Sequence, residues 1–257
     1  MSDAVLLPTG KAWSITCGES LSVMRSMPAG CVDGVITDPP YSSGGQYRGD
    51  RVNGTEAKYG GSDFHGNHDE FAGDSRDQKA YMLWTSIWVS EAMRVCRTGG
   101  AVAVFTDWRQ LSATIDAVQA GGAIFRGVFV WDKTEGARPV LGRPRNQCEF
   151  SVWGSFGPMP MSGPALSGCV TQSVGEKHHR TGKPVKVMRE LVRMVPVGGI
   201  VLDPFCGSGS TGVAAITEGR RFLGIEMVEP IYQTAVARLS GTIRNTPEQA
   251  SLFEAAS

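Results

Sequence analysis

The sequence has no excess of charge of either sign: 25 Lys and Arg stand against 25 Asp and Glu. A polyanion cannot be held by the field of the whole molecule, so any such partner must meet a local basic face. Long apolar runs are also missing, since nothing approaches the ~18 uninterrupted residues of a membrane span. The opening MSDAVLLPTGK lacks the basic-then-apolar layout of a secretory signal, so a soluble cytoplasmic protein is expected. The six cysteines form no C-x-x-C pair, in a chain large enough to need no staples. Reduced thiols and no metal are expected. None of the six follows a proline, which removes the usual Pro-Cys nucleophile of methyl transfer to cytosine C5.

What is present is a chain of 257 residues, 41% apolar, long enough to bury a proper core. Short β-branched runs bounded by turn residues recur at 13–17, 32–37, 101–106, 124–131, 149–153, 199–203 and 222–226, predicting seven strands. Helical patterns lie between or after them at Gln78–Val95, Trp108–Gln119, Lys183–Val195, Thr211–Glu218 and Pro230–Leu239. That alternation predicts an α/β fold with a mostly parallel sheet. Two stretches lack periodicity. Residues 42–77 are Gly-rich and polar, about 36 residues without a pattern and too long for a mere connector. Residues 154–175 are rich in Gly, Pro and Ser and predict a loop or small irregular insert. A local basic excess runs from Lys177 to Arg193, with six Lys or Arg, two His and a single acid, Glu190.

Gly207, Gly209 and Gly212 form G-x-G-x-x-G directly after a predicted strand and at the start of a helix. That spacing lets backbone approach a ligand at a helix N-terminus. Glu226 follows nineteen residues after Gly207, at the end of the next predicted strand, where a carboxylate can take a ribose hydroxyl pair. A nucleoside-containing cofactor is expected. Only 45 residues follow Gly212, so the remaining strands of the sheet must come from earlier in the chain. An NAD-dependent oxidoreductase, the other use of such a loop, would need more chain behind it.

VITDPPY, Val35–Tyr41, ends another predicted strand. Its two prolines fix φ and remove two N–H donors, leaving a rigid corner of acceptors. The Asp38 carboxylate, an adjacent main-chain carbonyl and the Tyr41 ring suit an exocyclic amine on a flat base, two acceptors meeting two N–H groups. Such an amine is a weak nucleophile because its lone pair is delocalised. Holding both hydrogens favours a pyramidal nitrogen aimed at an electrophile, a positioning effect that requires no covalent intermediate.

DPPY near the start, DPFCGSGSTG near the end and H-x-x-x-K-P just before the latter resemble the amino-DNA methyltransferases of the β, or permuted, class. The resemblance covers about residues 13–241. It implies a Rossmann-like S-adenosylmethionine-dependent methyltransferase fold with circularly permuted motif order. Asp38, Pro39, Pro40 and Tyr41 would surround the flipped base, Asp38 also belonging to the cofactor side. Phe205, Cys206, Gly207, Ser208 and Gly209 would cradle the methionine end with Asp203, Ser210 and Thr211, and Glu226 would bind the ribose. His179, Lys183 and Pro184 would stand at the cofactor carboxylate, where a lysine also has an electrostatic reason to be. Gly18-Glu19 replaces the family's usual Gly-Asp, which assigns Glu19 to the adenine from further back.

The segment 129–154 resembles the family's W-x-K…h-E…W region, and within it Arg143, Arg145, Asn146 and Gln147 are residue types that contact phosphates and base edges. A target-recognition insert is expected at 133–176 and a disordered tail at 242–257. The 42–77 stretch is expected to face DNA, with Tyr47, Arg48, Arg51 and Lys58 ordering against it once a base is flipped out. The resemblance implies a bacterial or phage-encoded enzyme acting on double-stranded DNA, homodimeric in the manner of its relatives, with or without a cognate restriction enzyme. DPPY is the commoner form in adenine-N6 enzymes and SPPY in cytosine-N4 enzymes, so adenine N6 leads. Transfer to RNA or to a protein amide is the remaining alternative.

Overall fold

The computed structural model describes residues 10–41, 76–136, 141–160, 163–173 and 182–244. Eight strands run β1 Trp13–Cys17, β2 Val32–Thr37, β3 Cys96–Thr106, β4 Ile124–Asp132, β5 Cys148–Ser155, β6 Cys169–Thr171, β7 Ile200–Asp203 and β8 Arg221–Glu226. Among the described residues six α-helices accompany them: α1 Ser20–Ser26, α2 Gln78–Val95, α3 Leu111–Ala120, α4 Val185–Val192, α5 Ser210–Thr217 and α6 Glu229–Arg244. They form one sheet in the order β1-β8-β7-β2-β3-β5-β4-β6. β1, β8, β7, β2 and β3 are mutually parallel, while β5 runs antiparallel to both β3 and β4.

Both faces of the sheet are covered, because successive residues of each central strand point to opposite sides. Ile36, Ala103, Phe105, Val201 and Phe222 meet α4, α5 and α6 in one core. Their neighbours Val35, Val102, Val104, Leu202 and Leu223 meet α1, α2 and α3 in the other. α2 shows how the sequence dictates this packing. Its buried residues Tyr81, Thr85, Trp88, Ala92 and Val95 recur at helical spacing on one face, and the Asp77 carboxylate caps its start by accepting from Ala80 N.

Two sequence expectations need correction. The sheet has eight strands rather than seven, because Cys169–Thr171, within a stretch expected to be irregular, pairs in parallel with Val130–Asp132 at the edge. The expected target-recognition insert at 133–176 includes β5, the strand expected at 149–153, which lies inside the sheet between β3 and β4. The chain is helical to Arg244, so the expected tail cannot begin at 242.

Smaller shifts have local causes. α3 starts at Leu111 rather than 108 because the Asp107 carboxylate accepts from Arg109 N and Gln110 N, holding a turn there. α4 starts at Val185 because Pro184, at φ −59 and ψ 134, is its extended N-cap. Among the described residues no helix is long and apolar enough to cross a membrane.

The topology creates the site. β2 leads through α2 to β3 and β7 leads through α5 to β8, yet α2 and α5 cover opposite faces. Adjacent β7 and β2 therefore mark the switch point, where a crevice opens outside the carboxyl ends of the strands.

Candidate active site

Both motifs end at this crevice, Asp38 following β2 and Pro204 following β7. A cavity of about 570 Å³ lies there. It is lined by Asp38 to Tyr41, by Asp203 and the Pro204–Ser208 turn, by Ser210 and Thr211, and by Glu19, Lys183 and Glu226. The structure thus gathers residues as far apart in the chain as Glu19 and Glu226 around one space.

The turn after β7 is built by its glycines. Gly207 and Gly209 adopt φ of +50 and +82, a region that side chains disfavour, and Gly209 is the N-cap of α5. Gly212 serves packing instead: a Cβ there would lie 2.7 Å from the Phe222 ring, so α5 could not sit this close to β8. The Glu226 carboxylate closes the turn, accepting from Gly207 N at 2.9 Å through Oε2 and from Val228 N at 2.9 Å through Oε1. Phe205 turns towards the α2 core, against Trp84 at 5.3 Å and Trp88 at 5.2 Å between ring centroids. Glu19 is the N-cap of α1 and accepts from Leu21 N and Ser22 N. Those backbone donors hold its carboxyl below the usual range despite the opposing effect of burial.

Asp203 is 2% exposed and joins the two motifs. Its Oδ1 accepts from Thr37 Oγ1 at 2.6 Å and from Phe205 N at 3.1 Å, and its Oδ2 accepts from Thr211 Oγ1. Burial outweighs these donors and pushes its pKa up to about 7. The folded state thus keeps a proton that the unfolded chain releases near pH ~4, so this group makes stability fall as pH rises from about 4 to about 7. Asp203→Asn is expected to flatten that part of the pH–stability curve by an amount on the order of 1–4 kcal/mol. Urea unfolding across pH 4 to 8 reads it, and an unchanged slope would refute the assignment.

The Asp38 corner carries an alternating row of charges. Lys183 Nζ lies 2.6 Å from Asp38 Oδ2 and 3.2 Å from Glu149 Oε2, while Lys133 Nζ lies 3.1 Å from Glu149 Oε1. The Lys183 side chain is only 6% exposed. Burial pulls its pKa down, but the Asp38 and Glu149 carboxylates prevail and raise it well above the ordinary lysine value. Glu149 is likewise held below the carboxylate range by Lys183 and Lys133, against its own burial. Lys183 also lies 5.4 Å from the Tyr41 and Phe105 ring centroids. Burial raises the Tyr41 phenol well above its usual value, so it stays neutral.

The remaining expected residues divide. Asn146 lines the cavity, and Pro184 opens α4 beside it. Gln147 Nε2 donates to Asp132 Oδ1, Arg145 Nη1 to the Glu135 carbonyl, and Arg143 is exposed. Cys206 is buried with its thiol pKa pushed well up by burial. His179, Tyr47, Arg48, Arg51 and Lys58 lie outside the described residues.

The sequence reading gave no role to Lys133 and Glu149 of the W-x-K…h-E…W pattern and did not single out Asp107, Trp108, Arg76 or Trp84, yet all six line the same cavity. Arg76 lies 4.1 Å from the Trp84 ring centroid, and Trp108 is 46% exposed. The position of Asp107 and Trp108 just beyond β3 was the available signal, since sites of parallel sheets collect at that end of every strand.

Comparison with known proteins gives a family and a shared fold. A family model described as DNA methylase, for N6 and N4 methyltransferases, matches residues 32–159 and 150–237. The putative methylase YubD of Escherichia coli K12 is 29% identical over 228 residues, covering 88% of this chain and 90% of YubD. The M1.HpyAVI–SAM complex superposes with a TM-score of 0.62 at 21% identity, covering 88% of this chain and 98% of that one. The PvuII DNA methyltransferase, whose description is cytosine-N4-specific, superposes with a TM-score of 0.64 at 16% identity over 97% and 95% of the two chains.

Proposed function

Because this chain belongs to the DNA methylase family of N6 and N4 methyltransferases, we propose that it moves a methyl group from S-adenosylmethionine to the N6 amine of a flipped-out adenine in double-stranded DNA. One observation carries the proposal: the DPPY corner and the glycine turn line a single cavity at the sheet's switch point. The cavity's volume falls within the roughly 300–1,000 Å³ of small-molecule sites.

The residues present fit the cofactor. A Cβ added at Gly207 would meet nothing within 4 Å, so this cavity-lining backbone is open to a ligand. The N-terminus of α5 lies just behind it, and Glu226 is fixed at the rim by its two backbone donors. Phe205 to Thr211 and Asp203 would hold the methionine part, Glu226 the ribose and Glu19 the adenine side. When bound, S-adenosylmethionine supplies a methyl group on a positively charged sulfur.

The chain's own residues then act on the base. Asp38 accepts one hydrogen of the amine and the Pro39 carbonyl the other, which turns the nitrogen lone pair towards the methyl group. The Tyr41 ring, neutral and backed by Lys183, supports the base by stacking. As the nitrogen gains the methyl it loses one proton, for which the Asp38 carboxylate is the adjacent base. Extruding the target from the duplex costs a few kcal/mol, recovered through these contacts and those of the DNA-facing residues, with Asn146 nearest the cavity. Adenine rather than cytosine follows from Asp38 standing where cytosine-N4 enzymes commonly carry Ser.

The test is to incubate the protein with labelled S-adenosylmethionine and methylation-free bacterial DNA, digest to nucleosides and separate them. Label in N6-methyladenine is expected. Label in N4-methylcytosine would keep the mechanism and overturn the base, and label in no nucleoside would overturn DNA as the acceptor.

A further inference from the structure

The Asp38 carboxylate has a conflict to resolve. In the protein alone, Lys183 Nζ sits 2.6 Å from Asp38 Oδ2, while the proposed chemistry needs Asp38 to accept a hydrogen from the base. Lys183 is almost entirely enclosed, with its ammonium between Asp38, Glu149 and the faces of Tyr41 and Phe105. A buried ammonium left without a counter-ion is strongly unfavourable. Were Asp38 its only anion, Lys183 would hold that carboxylate away from the amine.

Glu149 changes this balance. It approaches Lys183 at 3.2 Å from the side opposite in charge order to Asp38, and its other oxygen is anchored by Lys133 at 3.1 Å. The four groups sum to zero charge, so the row is neutral as a unit. Glu149 comes from β5, the antiparallel strand between β3 and β4, and so is held by the sheet rather than by a loop.

We propose that Glu149 is a positioning residue for methyl transfer: it takes over the charge of Lys183 when Asp38 turns to the amine, and so sets how freely Asp38 accepts. Lys133 orients Glu149 for this exchange by occupying its far oxygen. The proposal rests on the role assigned to Asp38 above and adds a residue that acts on the amine through Lys183 and Asp38.

Glu149→Gln keeps the shape and removes the charge. Lys183 then has Asp38 as its one anionic partner in the row, and the chemical step slows. The measurement is the single-turnover rate of label incorporation with enzyme in excess over unmethylated bacterial DNA, alongside separate dissociation constants for S-adenosylmethionine and DNA. The expected result is a rate lower by roughly 10- to 100-fold, the span of couplings between touching charged groups, with both dissociation constants within about threefold of wild type. Glu149→Asp, which restores the charge on a shorter side chain, is expected to be faster than Glu149→Gln yet to stay about threefold or more below wild type. Lys183→Met added to Glu149→Gln is expected to be faster than Glu149→Gln alone, since it removes the competitor for Asp38.

A merely structural Glu149 would weaken binding and rate together and would not be relieved by a second substitution. A wild-type rate in Glu149→Gln, or slowing that Lys183→Met deepens, overturns the inference. If Glu149→Gln does not fold, Glu149→Asp carries the test alone: slowing of about threefold or more at unchanged affinities supports it, and an unchanged rate overturns it. Absence of label with the wild-type protein would instead strike the proposed function itself.

Discussion

Asp38→Ala is expected to lower the single-turnover rate of methyl transfer by roughly a thousandfold, the scale on which a group positioned at the reacting atoms acts. Three effects act together. The amine loses the acceptor that orients its lone pair, the departing proton loses its base, and Lys183 keeps Glu149 as a carboxylate partner. The last effect is why the fold should survive: in the absence of Glu149 a stranded lysine would cost about 3–5 kcal/mol, and its presence offsets much of this. Affinity for S-adenosylmethionine should stay within about tenfold, since the glycine turn and Glu226 are untouched. Calorimetry for binding and labelled-DNA assays for rate separate the two. A variant retaining a tenth of the wild-type rate, with binding intact, would remove Asp38 from the chemistry.

Gly207→Val should do the reverse, abolishing cofactor binding while the fold persists. Gly207 has φ +50, and the space where its Cβ would stand holds no protein atom within 4 Å. The added side chain therefore meets no core and projects from a residue that lines the cavity. Its backbone strain is about 1–2 kcal/mol, which should lower the midpoint of unfolding without preventing folding. Binding should weaken at least a hundredfold, equivalent to about 2.7 kcal/mol, because the β-branched side chain occupies the approach to the turn's backbone. Direct titration of S-adenosylmethionine, with thermal unfolding as the control, checks this. Near-normal affinity in a folded Gly207→Val protein would mean that the cofactor does not lie against this turn.

The contrast between the two variants reflects how the site is divided. The β7 end of the crevice is backbone and glycine, shaped to be approached. The β2 end is side chains and charge, held by Lys183 and braced through Glu149 and Lys133. Asp203 joins the ends by accepting from Thr37 on β2 and from Thr211 on α5. Its raised pKa is the cost of placing a carboxyl in that seam.

Much of this was legible in the chain itself, for local reasons. The periodicity of Gln78–Val95 defines α2 to the residue, because Asp77 caps it and its buried residues recur at helical spacing on one face. DPPY and DPFCG each follow an apolar β-branched run, so their position at strand ends could be read directly. The charged row could not. Glu149 sits in a segment whose sequence resemblance was recognised, yet its contact with Lys183 depends on β5 entering between β3 and β4 in reverse, with Phe150 opposite Thr106. Lys183 opens a Lys-Pro pair whose resemblance suggested a cofactor carboxylate, and in the protein alone it pairs with a carboxylate 145 residues away.

Likewise β6 has three residues and is stabilised by pairing with β4, which no short-range pattern announces. Elements whose register is set by their own side-chain period, together with motifs tied to their ends, are determined by the sequence alone, because 3.6- and 2-residue repeats are local properties. Which charges face one another across the cavity was decided by strand order and direction, because those depend on burying both faces of the sheet at once.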